Sequence, residues 1–595
     1  MKRIVRKLSF AALLLLAACS TGSDPRTQAR EFLEMYNDID QRLYTASAEA
    51  SWTAATDVTE QHTGERIGTD AALAGFRGSK YVIEGARKYL AIRDKLDDVE
   101  FRQLDKILLN AAESPGTIPD VVKARIEAEA KLTATMDSFV FCAAPVKAGV
   151  CAQPVIPNQI DKVLRDSTDL AERRRYWEIS KQSGPVLKGG LASLRDLRNR
   201  VAKELGYSSY MHLQVADYGM TVPEMMQLMD RAAADLGPLY EQLHLYTRRA
   251  LAKRYKQPVP EGAIPAHWIG NRWGQEWPGI VESANLDPYF KGRSPEWIVR
   301  QAEKFYTSLG MPPLPKSFWE KSDLWELPPG SKRRKNTHAS AWHIDRREDV
   351  RSLGSVTADY KWFETEHHEL GHVYYYVNYS NPKVPHVLRE GMNRAFHEAI
   401  GDLIGIAARQ QPYLRQVGIL PESAKLDATE YLLGEALDSA IVFLPWSAGT
   451  MTHFEHDLYE KNLPIGEFNA RWWDYVKRYQ RIEPPSARGE EFCDACTKTH
   501  IVDDPAQYYD YAMAFLIKFQ LHDHIARKIL KQDPHSCNYF GNREVGKWLT
   551  EILSLGATRD WRQVIREKTG EDISSRAILA YFKPLEEYLR KENAR

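Results

Sequence analysis

Several features are scarce in this 595-residue chain, and each scarcity excludes a class of protein. After residue 18 no segment approaches the ~20 unbroken apolar residues that a membrane-spanning helix needs. Lys plus Arg and Asp plus Glu number 80 each, so the chain lacks the basic excess that a nucleic-acid partner requires. No Gly/Ser-rich or Pro-rich linker and no internal repeat interrupts the sequence. We therefore expect one large domain over residues 29–595, although this length would by default suggest two.

Alternation of Val, Ile and Thr with polar residues, the pattern of a β-strand, is also rare, whereas helical periodicity is frequent. The sequence therefore predicts a mainly α protein, a large helical body with very little β structure. The segments with helical periodicity are 27–58, 69–114, 117–139, 159–205, 222–255, 295–309, 361–379, 391–409, 426–460, 467–480, 505–531, 543–554 and 575–592.

The N-terminus has the pattern of an export signal. Residues 1–18 begin with basic side chains and continue with an apolar run too short to span a bilayer. The run ends in Ala-Ala-Cys19 and resembles the bacterial lipoprotein signal, in which that cysteine is lipidated. We expect a signal peptide over 1–18, a tether over 19–28 and a lipid anchor in the bacterial cell envelope. Ser20 favours the outer membrane, facing the periplasm; the alternative is an ordinary secretory signal with an incidental cysteine.

Five cysteines remain after Cys19, an odd number for an oxidising compartment. Cys142 and Cys151 flank a turn with Pro and Gly, and are predicted to form a short disulfide loop. Cys493 and Cys496 form a Cys-x-x-Cys pair without the second pair that a zinc knuckle would need. One of these two or Cys537 is therefore free or pairs between chains, and the sequence leaves open which.

The motif His-Glu-x-x-His occurs once, as His368, Glu369 and His372. On a helix, a spacing of four residues puts both imidazoles on one face, where they can bind one Zn²⁺. Glu369 lies beside the metal and is the base that the motif predicts for a zinc-activated water. The register is unambiguous because His367 is followed four residues later by Gly371. The alternative for a bare match is a surface helix with two solvated histidines.

A second predicted helix supplies a third ligand. Residues 393–403 carry an apolar stripe, and Glu398 and Asp402 share one face at i, i+4. Glu398 can complete a His₂Glu zinc site, and Asp402 can accept the free N–H of a ligand imidazole. The metzincin pattern is absent because Tyr375 stands where its glycine belongs. The sequence therefore favours a zincin whose third ligand is a glutamate.

The chain resembles the angiotensin-converting enzyme family of zinc dipeptidyl carboxypeptidases, most strongly over residues 260–530. The shared motifs, in order, are Pro265-Ala266-His267, Thr337-His338-Ala339-Ser340-Ala341-Trp342, His367-His368-Glu369-Leu370-Gly371-His372, Phe396-His397-Glu398-Ala399-Ile400-Gly401-Asp402, Phe443-Leu444-Pro445, Trp472-Trp473 and Tyr479-Gln480. The resemblance implies a large helical zincin-type metallopeptidase with a deep central cleft. It also implies that the N-terminal helices, about 29–110, act as a lid.

The resemblance further implies substrate-binding and catalytic roles. The backbone of Ala339 and Ala341, beside His338, would pair with a bound peptide as an added strand. The other implied residues are His500 and Tyr511 as oxyanion donors, Lys498, Tyr508 and Gln275 at the substrate's C-terminal carboxylate, and Phe443 and Phe515 as pocket walls. His338 could also be an ordinary exposed histidine, and the two phenylalanines would look identical as core residues.

The sequence departs from the family pattern in several ways, two of which bear on the site. One extra residue separates His500 from Tyr508, so the choice of Tyr508 over Tyr509 depends on the alignment further on. Asp510 and Val476 stand where animal members carry arginines that hold an activating chloride. Because a carboxylate cannot ligate chloride, the sequence predicts weak or absent chloride dependence.

Together these observations predict a metallopeptidase with one Zn²⁺ that releases C-terminal dipeptides from oligopeptides bearing a free C-terminal carboxylate. We expect a monomer that meets the membrane through its lipid anchor and binds no nucleic acid. Two alternatives remain open. One is a zinc carboxypeptidase that releases single residues, and the other is a catalytically inactive binding lipoprotein.

Overall fold

The computed structural model describes residues 24–145, 149–280, 286–424 and 426–595. The chain is 66% helical with 4% strand, which confirms the mainly α prediction. The predicted signal peptide and the lipidation site Cys19 lie outside the described residues. The first helix begins at Pro25, so the last four residues of the predicted tether are helical. Within the described segments, no helix is both long and apolar enough to cross a membrane.

Twenty-three α-helices are found in the described part of the chain. Their bounds are α1 Pro25–Thr56, α2 Glu60–Arg77, α3 Lys80–Leu90, α4 Asp98–Asn110, α5 Pro119–Asp137, α6 Pro157–Asp166, α7 Leu170–Ile179, α8 Gly184–Glu204, α9 Tyr210–Ala216, α10 Val222–Tyr255, α11 Pro295–Leu309, α12 Lys316–Lys321, α13 Tyr360–Tyr379, α14 Arg394–Arg409, α15 Gln411–Gln416, α16 Ala428–Glu435, α17 Thr452–Tyr459, α18 Phe468–Tyr475, α19 Thr499–Asp503, α20 Tyr509–His524, α21 Arg543–Leu553, α22 Trp561–Thr569 and α23 Arg576–Asn593.

The long periodic segment 69–114 is several helices rather than one. Ser79 and Asp97 interrupt it because their side chains accept the first backbone N–H groups of α3 and α4. At Asp97 the Glu100 side chain returns the bond, forming a capping box. Periodicity continues across such caps because consecutive helices bury faces in the same core. The apolar pattern therefore located the helices but missed where they break.

The segments 159–205 and 426–460 also divide, and five short helices were not predicted, namely α9, α12, α15, α19 and α22. Asp169 caps α7, while α8 begins with Gly184. Between α16 and α17 the chain runs through π-helical turns over 436–440 and 445–451. The helices α9 and α22 are too short for a periodic signal, although Asp560 marks the start of α22 as a cap.

Strands are few and short. Their bounds are β1 Phe141–Cys142, β2 Pro154–Val155, β3 Ile264–Pro265, β4 Asp323–Trp325, β5 Ser340–His343, β6 Val350–Val356 and β7 Ile482–Glu483. The only sheet with three strands in the described residues has the order β4-β6-β5. In it β4 runs parallel to β6, and β5 runs antiparallel to β6 with Ala341 opposite Ser352. The strand β5 therefore lies at an edge of the sheet.

The helices α13, α14 and α20 form the centre of the protein. α13 packs along α14, and α14 packs along α20. Residues Phe363 and Leu370 of α13, like Ile400 and Leu403 of α14, are at most 1% exposed. Each such side chain contributes about 1.5–3 kcal/mol through burial. This packing holds the two helices that carry the zinc-binding motif side by side.

The N-terminal helices α1, α3 and α4 share a smaller hydrophobic cluster with Val384, Val387 and Leu388. These three residues lie in the segment that connects α13 to α14. The N-terminal helices therefore rest directly on the connection between the two motif-bearing helices. Whether they open and close as a lid stays a prediction.

The cysteines pair locally. Cys142 and Cys151 form the predicted disulfide, next to the β1–β2 pair. Cys493 and Cys496 form a second disulfide, and Cys537 is a buried free thiol. The question that the sequence left open is thus answered in favour of Cys537 as the unpaired residue.

Candidate functional site

The helix α13 presents His368, Glu369 and His372. It begins after Asp359, whose side chain accepts the backbone N–H of Trp362 at 2.8 Å and so caps the helix. The spacing of four residues puts both imidazoles on the face towards α14, as the sequence predicted. The ring nitrogens Nε2 of His368 and His372 are 3.0 Å apart.

Two glycines allow α13 and α14 to approach closely. A Cβ atom on Gly371 would lie 2.9 Å from the Cα of Gly401, and one on Gly401 would lie 2.9–3.0 Å from the ring of His368. Real Cβ atoms are not found this close to other heavy atoms. The glycines therefore leave the space in which the imidazole of His368 stands between the helices. Their packing role was not predicted from the sequence.

Glu398 completes a cluster of three ligand atoms. Its Oε2 lies 3.7 Å from Nε2 of His368 and 3.9 Å from Nε2 of His372. The ligand atoms of the three side chains all lie within 4.8 Å of one another. Two imidazole nitrogens and one carboxylate are a donor set that suits Zn²⁺, and tetrahedral ligands at about 2.0–2.1 Å from an ion stand about 3.3 Å apart. The three residues therefore fit a single zinc ion.

The electrostatics of the cluster also favour a cation. Burial opposes a proton on His368, yet the carboxylates of Asp402, Glu369 and Glu398 raise the pKa of His368 to about 9. An imidazole with raised proton affinity reports a negative local potential, and that potential attracts a metal ion as well.

The second nitrogen of each ligand imidazole has a partner. Nδ1 of His368 lies 3.2 Å from Oδ1 of Asp402, and Lys518 donates to Oδ2 of that aspartate at 3.0 Å. Nδ1 of His372 lies 2.7 Å from Nδ1 of His397, whose pKa burial and the nearby His368 lower to about 3. A neutral His397 can accept the N–H of His372. Such partners fix the orientation of ligand rings.

Glu369 stands beside the cluster and is 7% exposed. Burial raises its pKa, the His368 ring lowers it and Glu398 raises it further. A carboxylate whose proton affinity is raised is a better general base than a solvated one. Its geometry and environment therefore suit the role that the motif predicts.

The cleft consists of two cavities with volumes of about 850 and 480 Å³. Both are lined by His338, Ala339, His368 and Glu369, so they meet at the metal cluster. The larger cavity is also lined by residues of α1, and by Lys106 of α4. The N-terminal helices thus form one wall of the cleft.

The edge strand β5 runs along the larger cavity. Ala341 lines that cavity, and its carbonyl oxygen accepts a hydrogen bond from the hydroxyl of Tyr376 at 3.3 Å. His338 precedes the strand, is exposed, and donates its backbone N–H to Asn336 at 2.9 Å. Ala339 offers no bulk that would keep another backbone away.

The three residues predicted to bind a carboxylate, Lys498, Gln275 and Tyr508, lie together at a second site. Nζ of Lys498 donates to Oε1 of Gln275 at 2.6 Å and lies 5.7 Å from the ring centre of Tyr508. Burial lowers the pKa of Lys498 to about 8 and raises that of Tyr508. Tyr509 instead packs edge-on against Tyr218, so Tyr508 is the tyrosine beside Lys498.

An aromatic cluster extends from this place towards the metal. The ring of Tyr511 lies 5.0 Å from that of Tyr508, 6.3 Å from that of His500 and 5.7 Å from that of Phe443. Phe443 in turn lies 5.9 Å from Phe515, which lines the smaller cavity together with His368 and Glu369. Ring contacts therefore run from Tyr508, beside Lys498, through Tyr511 and Phe443 to Phe515 at the smaller cavity.

Burial sets the protonation of the two predicted donors. It lowers the pKa of His500 to about 4 and raises the pKa of Tyr511. Arg394 lowers and Glu398 raises the pKa of Tyr511, so this hydroxyl is within electrostatic range of the third metal ligand. At neutral pH both groups are uncharged and keep a proton to donate.

Besides Gly371, three residues of the site were missed by sequence reasoning. His397 immediately precedes Glu398, so its place in the second helix was a usable signal. Lys518, the partner of Asp402, and Gly401, which faces His368, carry no local signal because their contacts are made across helices.

A family model described as angiotensin-converting enzyme matches residues 23–595. Similar proteins include the angiotensin-converting enzyme of Theromyzon tessulatum, 29% identical over 609 residues that cover 98% of this chain and 96% of that protein. The angiotensin-converting enzyme of Mesocricetus auratus is 30% identical over 586 residues, which cover 95% of this chain and 44% of that protein. This chain therefore spans less than half the length of the Mesocricetus auratus protein. The angiotensin-converting enzyme-related protein of Drosophila melanogaster is 32% identical over 470 residues, covering 75% of this chain and 73% of the fly protein.

The match extends over almost the whole chain and includes every motif on which the resemblance depends. It supports a zinc-dependent metallopeptidase of the peptidyl-dipeptidase type, and the His-His-Glu cluster agrees with that class. The chain belongs to the angiotensin-converting enzyme family.

Proposed function

We propose that the protein is a zinc dipeptidyl carboxypeptidase that removes dipeptides from the free C-terminal end of oligopeptides. The observation that carries this proposal is the presence of two sites that are linked by a chain of contacting aromatic rings. One is the cluster of His368, His372 and Glu398, and the other is the buried cation of Lys498 beside Gln275. The aromatic cluster around Tyr511 connects them.

His368, His372 and Glu398 would hold the zinc ion. Zinc, when bound, supplies a Lewis acid that polarises a carbonyl and lowers the pKa of a water ligand towards about 7. Asp402 and His397 hold the two imidazoles in the orientation that leaves the Nε2 atoms free for the metal.

Glu369 is proposed as the general base. Its carboxylate takes the proton of the attacking water and then delivers it to the departing amine, which is the usual exchange for an acid of raised pKa. The buried position excludes bulk water that would otherwise compete for the proton.

His500 and Tyr511 are proposed as donors to the oxyanion that develops on the scissile carbonyl. Their N–H and O–H groups are uncharged at neutral pH because of the pKa shifts given above. A positioned donor of this kind is worth about 2.7–4 kcal/mol in the transition state.

The substrate backbone is proposed to add to the sheet at β5, beside His338, through Ala339 and Ala341. An edge strand with a small side chain at Ala341, next to Ala339, is suited to this because a second backbone can come within hydrogen-bonding distance. Phe443 and Phe515 would form apolar walls for substrate side chains.

Lys498, Gln275 and Tyr508 are proposed to bind the terminal carboxylate of the substrate. A cation with two neutral donors can balance the charge of a buried carboxylate and satisfy its hydrogen-bond acceptors. If this site lies two residues beyond the scissile bond, distance rather than side-chain identity selects a dipeptide as the product.

We also propose that the enzyme is a monomer, is anchored through Cys19 to the outer membrane facing the periplasm, and depends little on chloride. The substitution of Asp510 and Val476 for chloride-binding arginines supports the last point. The N-terminal sequence supports the proposed location.

The test is incubation of a peptide ladder with the purified enzyme, followed by mass spectrometry, with and without a chelator. We expect successive losses of dipeptides, abolished by the chelator and restored by zinc, and no cleavage of C-terminally amidated peptides at comparable rates. Successive loss of single residues would favour a zinc carboxypeptidase. An intact ladder with stoichiometric zinc would favour an inactive binding protein.

A further inference from the structure

Asp510 is a buried carboxylate between the two helices that carry the proposed chemistry. It is 1% exposed, is the second residue of α20 and directly precedes Tyr511. The hydroxyl of Tyr218 donates to Oδ1 of Asp510 at 2.5 Å, and the oxygen of that hydroxyl accepts the backbone N–H of Ala395 at 3.1 Å. Ala395 lies in the first turn of α14, three residues before Glu398. Two hydrogen bonds therefore connect α20 to α14.

Arg394, the first residue of α14, supports the same connection. Its Nε lies 3.4 Å from Oδ2 of Asp510, while its Nη1 and Nη2 each donate to Asp504 at 2.7 Å. Nη1 also donates to Gln507 at 3.0 Å. Asp504 and Gln507 belong to the loop that joins α19 to α20. Arg394 thus holds the loop between the two proposed oxyanion donors.

The partner of Asp510 is itself held in place. The indole N–H of Trp561 donates to the backbone carbonyl of Tyr218 at 2.9 Å, and the ring of Tyr218 packs edge-on against Tyr509 at 5.4 Å. A buried carboxylate is tolerated only with such partners, and helix N-termini add favourable dipoles near α14 and α20. The arrangement has little freedom to move.

We propose that Asp510 is a positioning residue for the reaction. Its carboxylate ties the helix of the metal ligand Glu398 to the helix of the donor Tyr511, and so sets the distance between metal and oxyanion donor. The inference rests on the proposed function in assigning Glu398 as a metal ligand and Tyr511 as the donor. The network consists of this chain's own residues and needs no external ligand.

The test compares Asp510→Asn with Asp457→Asn. Asp457 on α17 is a close match, because it is 1% exposed, accepts from the hydroxyl of Tyr475 at 2.6 Å and lies 3.4 Å from Arg471. We expect Asp510→Asn to lower kcat at least ~10-fold, with KM within about threefold, since small misplacements of reacting groups cost up to ~100-fold. Asp457→Asn should keep kcat within about twofold at an equal loss of thermal stability.

A second readout separates positioning from general damage. A phosphinic peptide mimics the tetrahedral state, whereas a product dipeptide does not. Asp510→Asn should weaken binding of the phosphinic peptide at least ~10-fold and leave the affinity for the product dipeptide within about threefold. Zinc content should stay at one ion per chain in both variants. If Asp510→Asn does not fold, Tyr218→Phe replaces it, with Tyr475→Phe as its control.

Equal losses of kcat in the Asp510 and Asp457 variants, or an unchanged kcat in Asp510→Asn, would overturn the inference. Failure of the proposed function looks different, because the wild-type enzyme would then release single residues or nothing. If it releases single residues, the kcat comparison remains valid on that reaction. If the wild type is inactive, the weakened phosphinic binding alone carries or overturns the inference.

Discussion

The metal cluster and the proposed carboxylate site, called here the metal end and the carboxylate end, are built in different ways. The metal end comes from α13 and α14, two helices joined by a short connection, and its three ligands lie within 31 positions of sequence, from residue 368 to 398. The carboxylate end brings Gln275 to Lys498 and Tyr508 across 223 positions of sequence. Local spacing therefore defines the first, while only the tertiary fold assembles the second. Chemistry should depend on the metal end and product length on the carboxylate end.

The largest effect is expected at the metal end. Glu369→Ala should retain zinc because its side chain is not a ligand, and should lower kcat by roughly 10²–10⁴ because no base remains for the water. Steady-state kinetics with metal analysis measures both quantities. Turnover near the wild-type rate would remove Glu369 from the base role.

A smaller and selective effect is expected at the carboxylate end. Lys498→Met should raise KM for peptides with a free C-terminus roughly 10- to 150-fold, corresponding to about 1.5–3 kcal/mol for a charged hydrogen bond. Amidated peptides serve as the control, since they lack the charge that Lys498 is proposed to bind. An equal rise in KM for both peptide classes would show that the substitution damages the cleft in general.

The metal end depends on helix packing as well as on ligands. Gly401→Ala should weaken zinc binding by about 10- to 100-fold because its Cβ would displace the ring of His368. Gly405→Ala on the same helix is the matched control, as its Cβ would meet nothing nearer than 3.8 Å. Competition with a chelator measures the affinity. Equal affinity in the two variants would refute the packing argument.

The sequence predicted these two ends unequally. His368, His372, Glu398 and Asp402 follow from helical spacing alone, because i, i+4 residues share a face.

In the fold, the helix breaks at Ser79 and Asp97 were missed, since caps act over one turn while the apolar pattern continues.

Contacts between different secondary-structure elements could not be predicted, because they leave no local pattern in the sequence. The residues Lys518, Tyr218 and Gly401 act on groups more than 25 positions away in sequence, so no periodicity or local motif marks them. The residues proposed to bind the carboxylate were inferred from family resemblance rather than from spacing. Tertiary packing, not local propensity, determines that part of the site.

The pH dependence should distinguish the ends as well. Because burial lowers the pKa of Lys498 to about 8, this side chain is charged below that pH and neutral above it. We expect KM for free-carboxylate peptides to rise several-fold, roughly tenfold per pH unit at most, as pH increases past about 8. Amidated peptides should show no such rise, and a parallel rise for both would contradict the assignment.

The smallest effect is expected for chloride. With Asp510 held by Tyr218 and Arg394, the helices of the site are connected by the chain itself. Exchange of NaCl for a salt of a bulky organic anion at fixed ionic strength should change kcat/KM by less than about twofold. A several-fold increase on addition of chloride would contradict this prediction.

The most direct test of the central claim uses an N-acylated tripeptide with a free C-terminal carboxylate. If both ends of the cleft act on one substrate molecule, mass spectrometry should find a dipeptide and an N-acyl amino acid as the only products. Release of one free C-terminal amino acid would contradict the account, because the carboxylate site would then lie one residue from the scissile bond.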